Sequence, residues 1–388
     1  MIFQRNIVSK GVTQMEKIDV ACVGIVVVDI LSSILPKLPD PGELISVEEI
    51  YLASGGCAPN TAVSLSKLGA KAGVIGKAGK DVFGDFIIDY LKQKNVDTSL
   101  ISRSEISGTS KTIILLTENE DRRFIHNFGA NADFSLKDID FDYISQAKVL
   151  YVGGYLDLPK LNQNSLIKLF KFAKEKGIVT FLDVVVAHPS PDLINECKDA
   201  FLYTDYFLPN QDEARILTGK ENPKEQAETF LKYNPKMTTV ITMGKDGALL
   251  RTEKQVIHAK SYKVKVVDPS GGGDAFDAGF IFGILKGWDL EKTLRFASAV
   301  GASAVTAIGC TTGVFTQDEA LDFIEKNALE IKIKAEPLRK GQTTTFIASL
   351  LSASFIASSN LSKGKRWVIS SFTLTLPLDM SFKESSLW

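Results

Sequence analysis

Val267-Asp268-Pro269-Ser270-Gly271-Gly272-Gly273-Asp274 decides how the rest of this chain is read. The alternating run Tyr262–Val267 before it predicts a strand, and Ala275–Phe282 after it predicts a buried helix. Three glycines at a strand-to-helix turn let backbone N–H groups approach a ligand with no Cβ in the way. The helix start adds unpaired amide donors and the positive end of the helix dipole, which together suit a phosphate. Asp274 falls beside that anion site, where a carboxylate can take a proton from an attacking hydroxyl. The same residues also read as a Gly-rich turn with Asp274 as the N-cap.

Outward from this segment, strand and helix patterns alternate from about residue 18 to 333. Val20–Val28 is a continuous apolar run, as expected of a strand buried on both faces. Strands are also expected at Ala147–Val152, Ile178–Asp183 and Thr238–Met243. Helices are expected at Pro59–Leu68, Val82–Lys94, Gln163–Lys176, Leu290–Ala307 and Asp318–Asn327. Such alternation predicts an α/β fold, a doubly wound and mainly parallel sheet flanked by helices. Ligands then bind at the carboxyl ends of the strands, where Asp29, Asp183, Thr242 and Asp268 all fall. Segments 34–53 and 109–128 break the alternation and read as hairpins; Leu44–Val47 is the strand material of the first. Inserted in such a frame, they predict a small β-lid over the cleft.

Composition excludes several classes. Of 388 residues, 45% are hydrophobic and 23% charged, and the net charge is −1, so one large or two modest globular domains are expected. No basic run offers a nucleic-acid footprint. Cys22, Cys57, Cys197 and Cys310 are scattered without a CxxC, and the histidines are His126, His188 and His258. That pattern argues against zinc and for thiols in a reducing, cytoplasmic setting. The apolar run from Val20 to Leu35 is interrupted by Asp29 and preceded by Glu16 and Asp19, so it reads as a strand rather than a signal sequence. Residues 1–17 form an N-terminal extension, and Met15 is as reasonable a start as Met1. Residues 334–388 form a Ser/Thr-rich C-terminal extension; its uncharged stretch 341–362 is long enough for a bilayer, but half of it is Ser, Thr, Gln or Asn, so no membrane span is expected.

Three further segments carry candidate chemistry. Thr242, Gly244 and Gly247 follow a strand and can line a polyphosphate, or simply turn a hairpin. Asn210 and Glu213 have the spacing of a capping box, and also suit water held on Mg²⁺, a hard cation that keeps several waters. Gly55-Gly56-Cys57-Ala58-Pro59-Asn60 enters a helix; Gly56 and Asn60, with Asp29 opposite, can serve a ligand rich in hydroxyls.

In this order, these segments resemble the ribokinase-like (PfkB) carbohydrate kinase family. Gly55–Asn60, followed by Gly69 and Gly79-Lys80-Asp81, is similar to its N-terminal signature, and Asp268–Asp274 to its C-terminal one. Asn210 and Glu213 match its Asn-x-x-Glu motif, Thr242, Gly244 and Gly247 its nucleotide loop, and Gly129-Ala130-Asn131 a segment of its sugar kinases. The resemblance covers about residues 18–333 and implies phosphorylation of a sugar hydroxyl by ATP with Mg²⁺. It implies Asp274 as base, Gly271, Gly272 and Gly273 as anion hole, and Asn210 and Glu213 as organisers of Mg²⁺. It further implies Thr242, Gly244 and Gly247 around the nucleotide, and Asp29, Gly56 and Asn60 around the sugar. A monovalent cation such as K⁺ near Asp268 and Ser270, and a homodimer formed through the lid, follow from the same resemblance. There are departures: Gly272 replaces the usual alanine, and Asp183-Val184-Val185-Val186-Ala187-His188 lacks the Asn and Arg of the frequent Asp-x-Asn-x-Arg segment. A nucleoside kinase on the same fold is the nearest alternative, and a non-catalytic ligand- or partner-binding member is another.

Overall fold

The computed structural model describes residues 18–118, 123–190 and 192–337. The expected extension 1–17 with its two candidate starts, residues 119–122 of the segment 109–128, and residues 338–388 lie outside the described residues. The strands are β1 (Val20–Gly24), β2 (Val27–Ser32), β3 (Ile50–Gly55), β4 (Ala72–Gly79), β5 (Asp97–Ser104), β6 (Ser110–Leu115) and β7 (Arg123–Asn127). They continue as β8 (Val149–Gly153), β9 (Val179–Leu182), β10 (Tyr206–Phe207), β11 (Thr238–Thr242), β12 (Ala248–Arg251), β13 (Gln255–Ala259) and β14 (Ile331–Ala335). The helices are α1 (Cys57–Lys67), α2 (Val82–Gln93), α3 (Phe141–Ile144), α4 (Gln163–Glu175), α5 (Gln211–Thr218), α6 (Pro223–Leu231), α7 (Gly272–Leu285), α8 (Leu290–Ala304) and α9 (Gln317–Lys326).

The main sheet has the order β14-β13-β12-β11-β10-β9-β8-β1-β4-β5. From β11 to β5 every pairing is parallel, whereas β12, β13 and β14 add an antiparallel edge. This is the expected mainly parallel α/β sheet. β1 lies between β4 and β8 and all five of its residues are buried, which explains its unbroken apolar sequence. Helix α7 is apolar nearly all round because it is enclosed; Phe280 and Phe282 are buried, and each such burial contributes about 2 kcal/mol. β14 runs to Ala335, two residues past the expected end of the domain.

Three expectations about strands need correction. The run Val20–Val28 is not one strand: it splits into β1 of the main sheet and β2 of a second sheet. At the crossing, Asn131 takes the place of a neighbouring strand, its Oδ1 accepting from Val26 N (3.0 Å) and its Nδ2 donating to Val26 O (3.1 Å). An apolar run buried in both sheets carries no mark of the division. Leu44–Val47 forms no strand; the partner of β2 is β3, antiparallel from Val27↔Gly55 to Ser32↔Ile50. Tyr262–Val267 forms no strand. Its period-two pattern comes from buried Tyr262 and solvated Lys263 and Lys265, and its end is held by Val267 N donating to Val305 O.

The second sheet, in the order β3-β2-β6-β7, is the expected lid. Residues 109–128 supply its β6–β7 pair. One face of β2 turns inward, with Asp29 and Leu31 buried.

Candidate active site

The glycine turn forms the start of α7. Gly271 is the N-cap with φ 73° and gives no side-chain cap. The first helical bond runs from Ala275 N to Gly271 O (2.9 Å). The amides of Gly272, Gly273 and Asp274 therefore have no partner inside the helix. A Cβ at Gly271 would lie 2.5 Å from Cys310 Cα, whereas a Cβ at Gly273 would meet nothing within 4 Å. Gly271 is thus needed for packing and left-handed backbone, and Gly273 borders open space.

Asp274 does not cap its own helix. It sits in the third helical position, and its Oδ2 accepts from Asn60 Nδ2 at 2.9 Å. The partners are 214 residues apart in sequence. Asn60 is 2% exposed and is itself fixed by Ser54 Oγ, which donates to its Oδ1 (3.2 Å). Burial raises the Asp274 carboxyl above the ordinary carboxylate range, opposed by the hydrogen bonds from Asn60 and Cys57. A carboxylate so placed is a stronger base than an exposed one.

Asp29 is buried on β2, in register with Thr112 of β6, and accepts from the Cys310 thiol at 3.8 Å. Burial pushes its carboxyl up to about 7; Thr112 opposes this by hydrogen bonding, and the charges of Asp274 and Asp268 reinforce it. Gly56, the N-cap of α1 at φ 88°, brings the backbone past Ile25 and Val27 where a side chain would not fit.

The shift on Asp29 has a consequence for stability. Its folded value of about 7 exceeds the reference 3.8, so between these the folded state keeps a proton the unfolded state has released. Its contribution is full below about pH 4 and is lost as pH rises to about 7. Asp29→Asn removes the linkage. The urea midpoint of Asp29→Asn should gain on wild type as pH rises through that interval and level off above it; a pH-independent difference contradicts this account.

Asn210 and Glu213 form the capping box of α5: Asn210 Oδ1 accepts from Glu213 N and Glu213 Oε2 from Asn210 N, both at 2.9 Å. Burial, then the charges of Asp183 and Asp274, raise Glu213, which places its carboxylate in the field of Asp274. Asn210 also bridges to Thr242, so the cap lies beside the end of β11. Thr242, Gly244 and Gly247 turn the β11–β12 hairpin, with Met243 N donating to Gly247 O (2.8 Å). Both readings of these two segments are thus compatible with the geometry. Asp268 is fully buried; its Oδ1 accepts from Ser270 N and its Oδ2 from Gly309 N, each at 2.9 Å. It ties the glycine turn to the loop that carries Cys310.

Beneath Asp274, Asp183, expected at the strand-end cleft, meets three side chains that were not singled out from sequence: Asp277, Tyr151 and Cys57. Asp277 is one helical turn on, Tyr151 lies on β8, Asp183 follows β9, and Cys57 opens α1. Sulfur or oxygen atoms of Cys57, Asp183 and Asp274 lie within 4.8 Å of one another. The available signal was Asp277, a carboxylate at i+3 from Asp274 inside an otherwise apolar helix.

The chain is similar to known proteins over most of its length. The model of the pfkB family of carbohydrate kinases matches residues 17–317. A 5-dehydro-2-deoxygluconokinase of Clostridium perfringens is 31% identical over 290 residues, covering 71% of this chain and 85% of its own. A deoxyribokinase of Salmonella typhi is 26% identical over 314 residues, covering 80% and 99%. Among solved structures, an E. coli protein provisionally named ribokinase II, solved with ATP and Mg²⁺, is 25% identical with a TM-score of 0.70, covering 80% of this chain and 99% of its own. The chain belongs to the pfkB family of carbohydrate kinases.

Proposed function

We propose that the protein transfers the γ-phosphate of ATP, with Mg²⁺, to a hydroxyl of a pentose or hexose, and that Asp274 is the general base. The observation that carries this is the position of Asp274. It stands in the first turn of α7 next to amides with no partner within the helix, yet is turned onto Asn60 rather than its own helix. The E. coli neighbour with ATP and Mg²⁺ supports the nucleotide and metal, and the two relatives support a sugar acceptor, deoxy sugars included.

The residues present fit these groups. Gly273 leaves open the space a Cβ would take, and the amides of Gly272 and Gly273 can hold the charge that develops on the transferred group. Asn210 and Glu213 offer oxygens suited to a water-shelled Mg²⁺, and Thr242, Gly244 and Gly247 flank the nucleotide. When bound, MgATP supplies the phosphoryl group and offsets its charge. Asp29, Gly56 and Asn60 hold the sugar; Asp274, steadied by Asn60, takes the proton of the acceptor hydroxyl; the lid excludes water. A K⁺ beside Asp268 and Ser270 uses the lone pairs left on a carboxylate that already joins two loops. The kinase domain runs from residue 18 to the end of β14 at Ala335, with 1–17 and the residues after β14 as extensions; among the described residues no helix is long and apolar enough to cross a membrane. We place the enzyme in the cytoplasm, where buried thiols such as Cys22 and Cys197 stay reduced.

The test is product formation from MgATP across ribose, 2-deoxyribose, fructose, 5-dehydro-2-deoxygluconate and adenosine, in K⁺ and again in tetramethylammonium. A phosphorylated sugar, formed faster in K⁺, is expected; adenosine as the sole acceptor moves the assignment to a nucleoside kinase. Glu213→Gln keeps the capping geometry but loses the charge. It should leave Tm nearly unchanged and raise the Mg²⁺ needed for half-maximal rate about tenfold or more; an unchanged Mg²⁺ requirement removes Glu213 from that role.

The lid's outward face fits a second copy of this chain. Leu52, Ile30, Ile113 and Ile125 lie in register across the four strands, and Leu52, Ile113 and Ile125 are 45%, 40% and 59% exposed. A row of apolar side chains on a sheet is poorly served by water. Sedimentation should show a dimer for wild type and a monomer for Ile113→Asp; a wild-type monomer at assay concentrations rejects the lid interface.

A further inference from the structure

A buried chain of proton-bearing groups leads away from Asp274 and has no part in the mechanism above. Tyr151 Oη lies 3.1 Å from Asp277 Oδ2 and 3.3 Å from Asp183 Oδ2. Tyr151 is fully buried, and Asp183 and Asp277 are 8% and 3% exposed. The arrangement is built into the backbone, since a Cβ at Gly153 would lie 2.7 Å from both Tyr151 Oη and Cys57 Cβ.

Counting protons shows what the cluster must hold. A phenol has one proton and an ionised carboxylate has none to donate. Tyr151 can donate to one aspartate only, so the second short contact needs a proton from the carboxyl itself. Asp183 has other donors: Gly154 N at 3.4 Å and the neighbouring Cys57 thiol. For the Asp277 carboxyl, Tyr151 is the hydrogen-bond partner found among the described residues. The proton therefore belongs on Asp277, which donates to Tyr151 Oη, while Tyr151 donates to Asp183.

The surroundings agree. The groups facing Asp277 are Asp274 on its own helix, Tyr151 of β8, Asp183 after β9 and Glu213 of α5, and the charges among them are all negative. Burial first, then those charges, drives Asp277 well above the usual carboxylate range. Two ionised carboxylates one turn apart in a buried helix face would repel strongly.

We infer that Asp277 is a positioning residue that works as a neutral carboxylic acid: it anchors Tyr151 and Asp183 beneath the site without adding charge, leaving Asp274 as the ionised carboxylate on that face of α7. The effect on turnover rests on the kinase reading; the protonation of Asp277 does not.

Asp277→Asn tests both. An amide keeps the shape and the donor, so kcat/KM should stay within about threefold of wild type and the acid limb of its pH profile should not move. Asp277→Ala, which removes the donor, should lower kcat/KM about tenfold or more with little change in the KM for ATP. In infrared difference spectra at neutral pH, wild type should show one buried protonated carboxyl more than Asp277→Asn. An acid limb displaced downward by about one unit or more in Asp277→Asn means that Asp277 was charged, and overturns the inference. Should Asp277→Asn not fold, the wild-type spectrum decides: absence of a protonated carboxyl at neutral pH overturns the inference, whatever the substrate proves to be.

Discussion

Asp274→Asn should fold with a Tm close to wild type, bind MgATP, and turn over about 10²–10⁴-fold more slowly. The size follows from the chemistry. Phosphoryl transfer is mostly positioning and charge stabilisation, and both survive in this variant, because the amides of Gly272 and Gly273 and the anchor at Asn60 are unchanged. What is lost is the acceptor of the hydroxyl proton. The carboxylate has been raised by burial, which brings its basicity nearer to neutral pH. An asparagine cannot take the proton and still meets Asn60 Nδ2 through its carbonyl oxygen, so the loss falls on kcat rather than on either KM. Near-normal kcat in a folded Asp274→Asn ends the general-base assignment.

Gly271 and Gly273 are neighbours in one motif, and their alanine variants should fail in different ways. Gly271→Ala places a side chain at φ 73° and 2.5 Å from Cys310 Cα. Backbone strain of about 1–3 kcal/mol combines with a contact that the Cys310 loop must yield to. A loss of about 2–4 kcal/mol in unfolding free energy is expected, together with loss of activity. Gly273→Ala meets nothing within 4 Å and exchanges glycine for a better helix former. Its stability should stay the same or rise slightly, while kcat/KM falls about tenfold or more because the methyl group takes the space kept for the phosphate. The comparison needs only denaturant midpoints and initial rates. If Gly273→Ala is as active as wild type, the open space over α7 is not the anion site.

The features legible in the sequence are local ones. A glycine turn before an apolar helix, an Asn-x-x-Glu cap and a Gly-Lys-Asp-Gly hairpin depend on residues a few positions apart, and each stands where it was expected. Alternating strand and helix patterns likewise fix a mainly parallel sheet, because parallel strands need a crossover between them. Errors arose where one local pattern serves two structures. Val20–Val28 is buried throughout whether it lies in one sheet or two, and only Asn131, distant in sequence, marks the division. Tyr262–Val267 alternates in sequence yet forms no strand, and Val266, 58% exposed, does not share the burial of Tyr262. Within the site, Asp274 fitted the N-cap reading equally well until its carboxylate was found on Asn60, 214 residues away. The meeting of Asp183 with Tyr151 and Asp277 was hidden for the same reason, since β8, the end of β9 and α7 meet only in the folded chain.

The most direct test of the account is to incubate the enzyme with MgATP and the sugar panel and look for a phosphorylated product by mass, with Asp274→Asn in parallel. The account predicts a single phosphate on one of the sugars, formed by wild type and reduced at least about a hundredfold in the variant. Phosphorylation proceeding equally well in Asp274→Asn, or no acceptor phosphorylated by a folded wild type that binds MgATP, would contradict it.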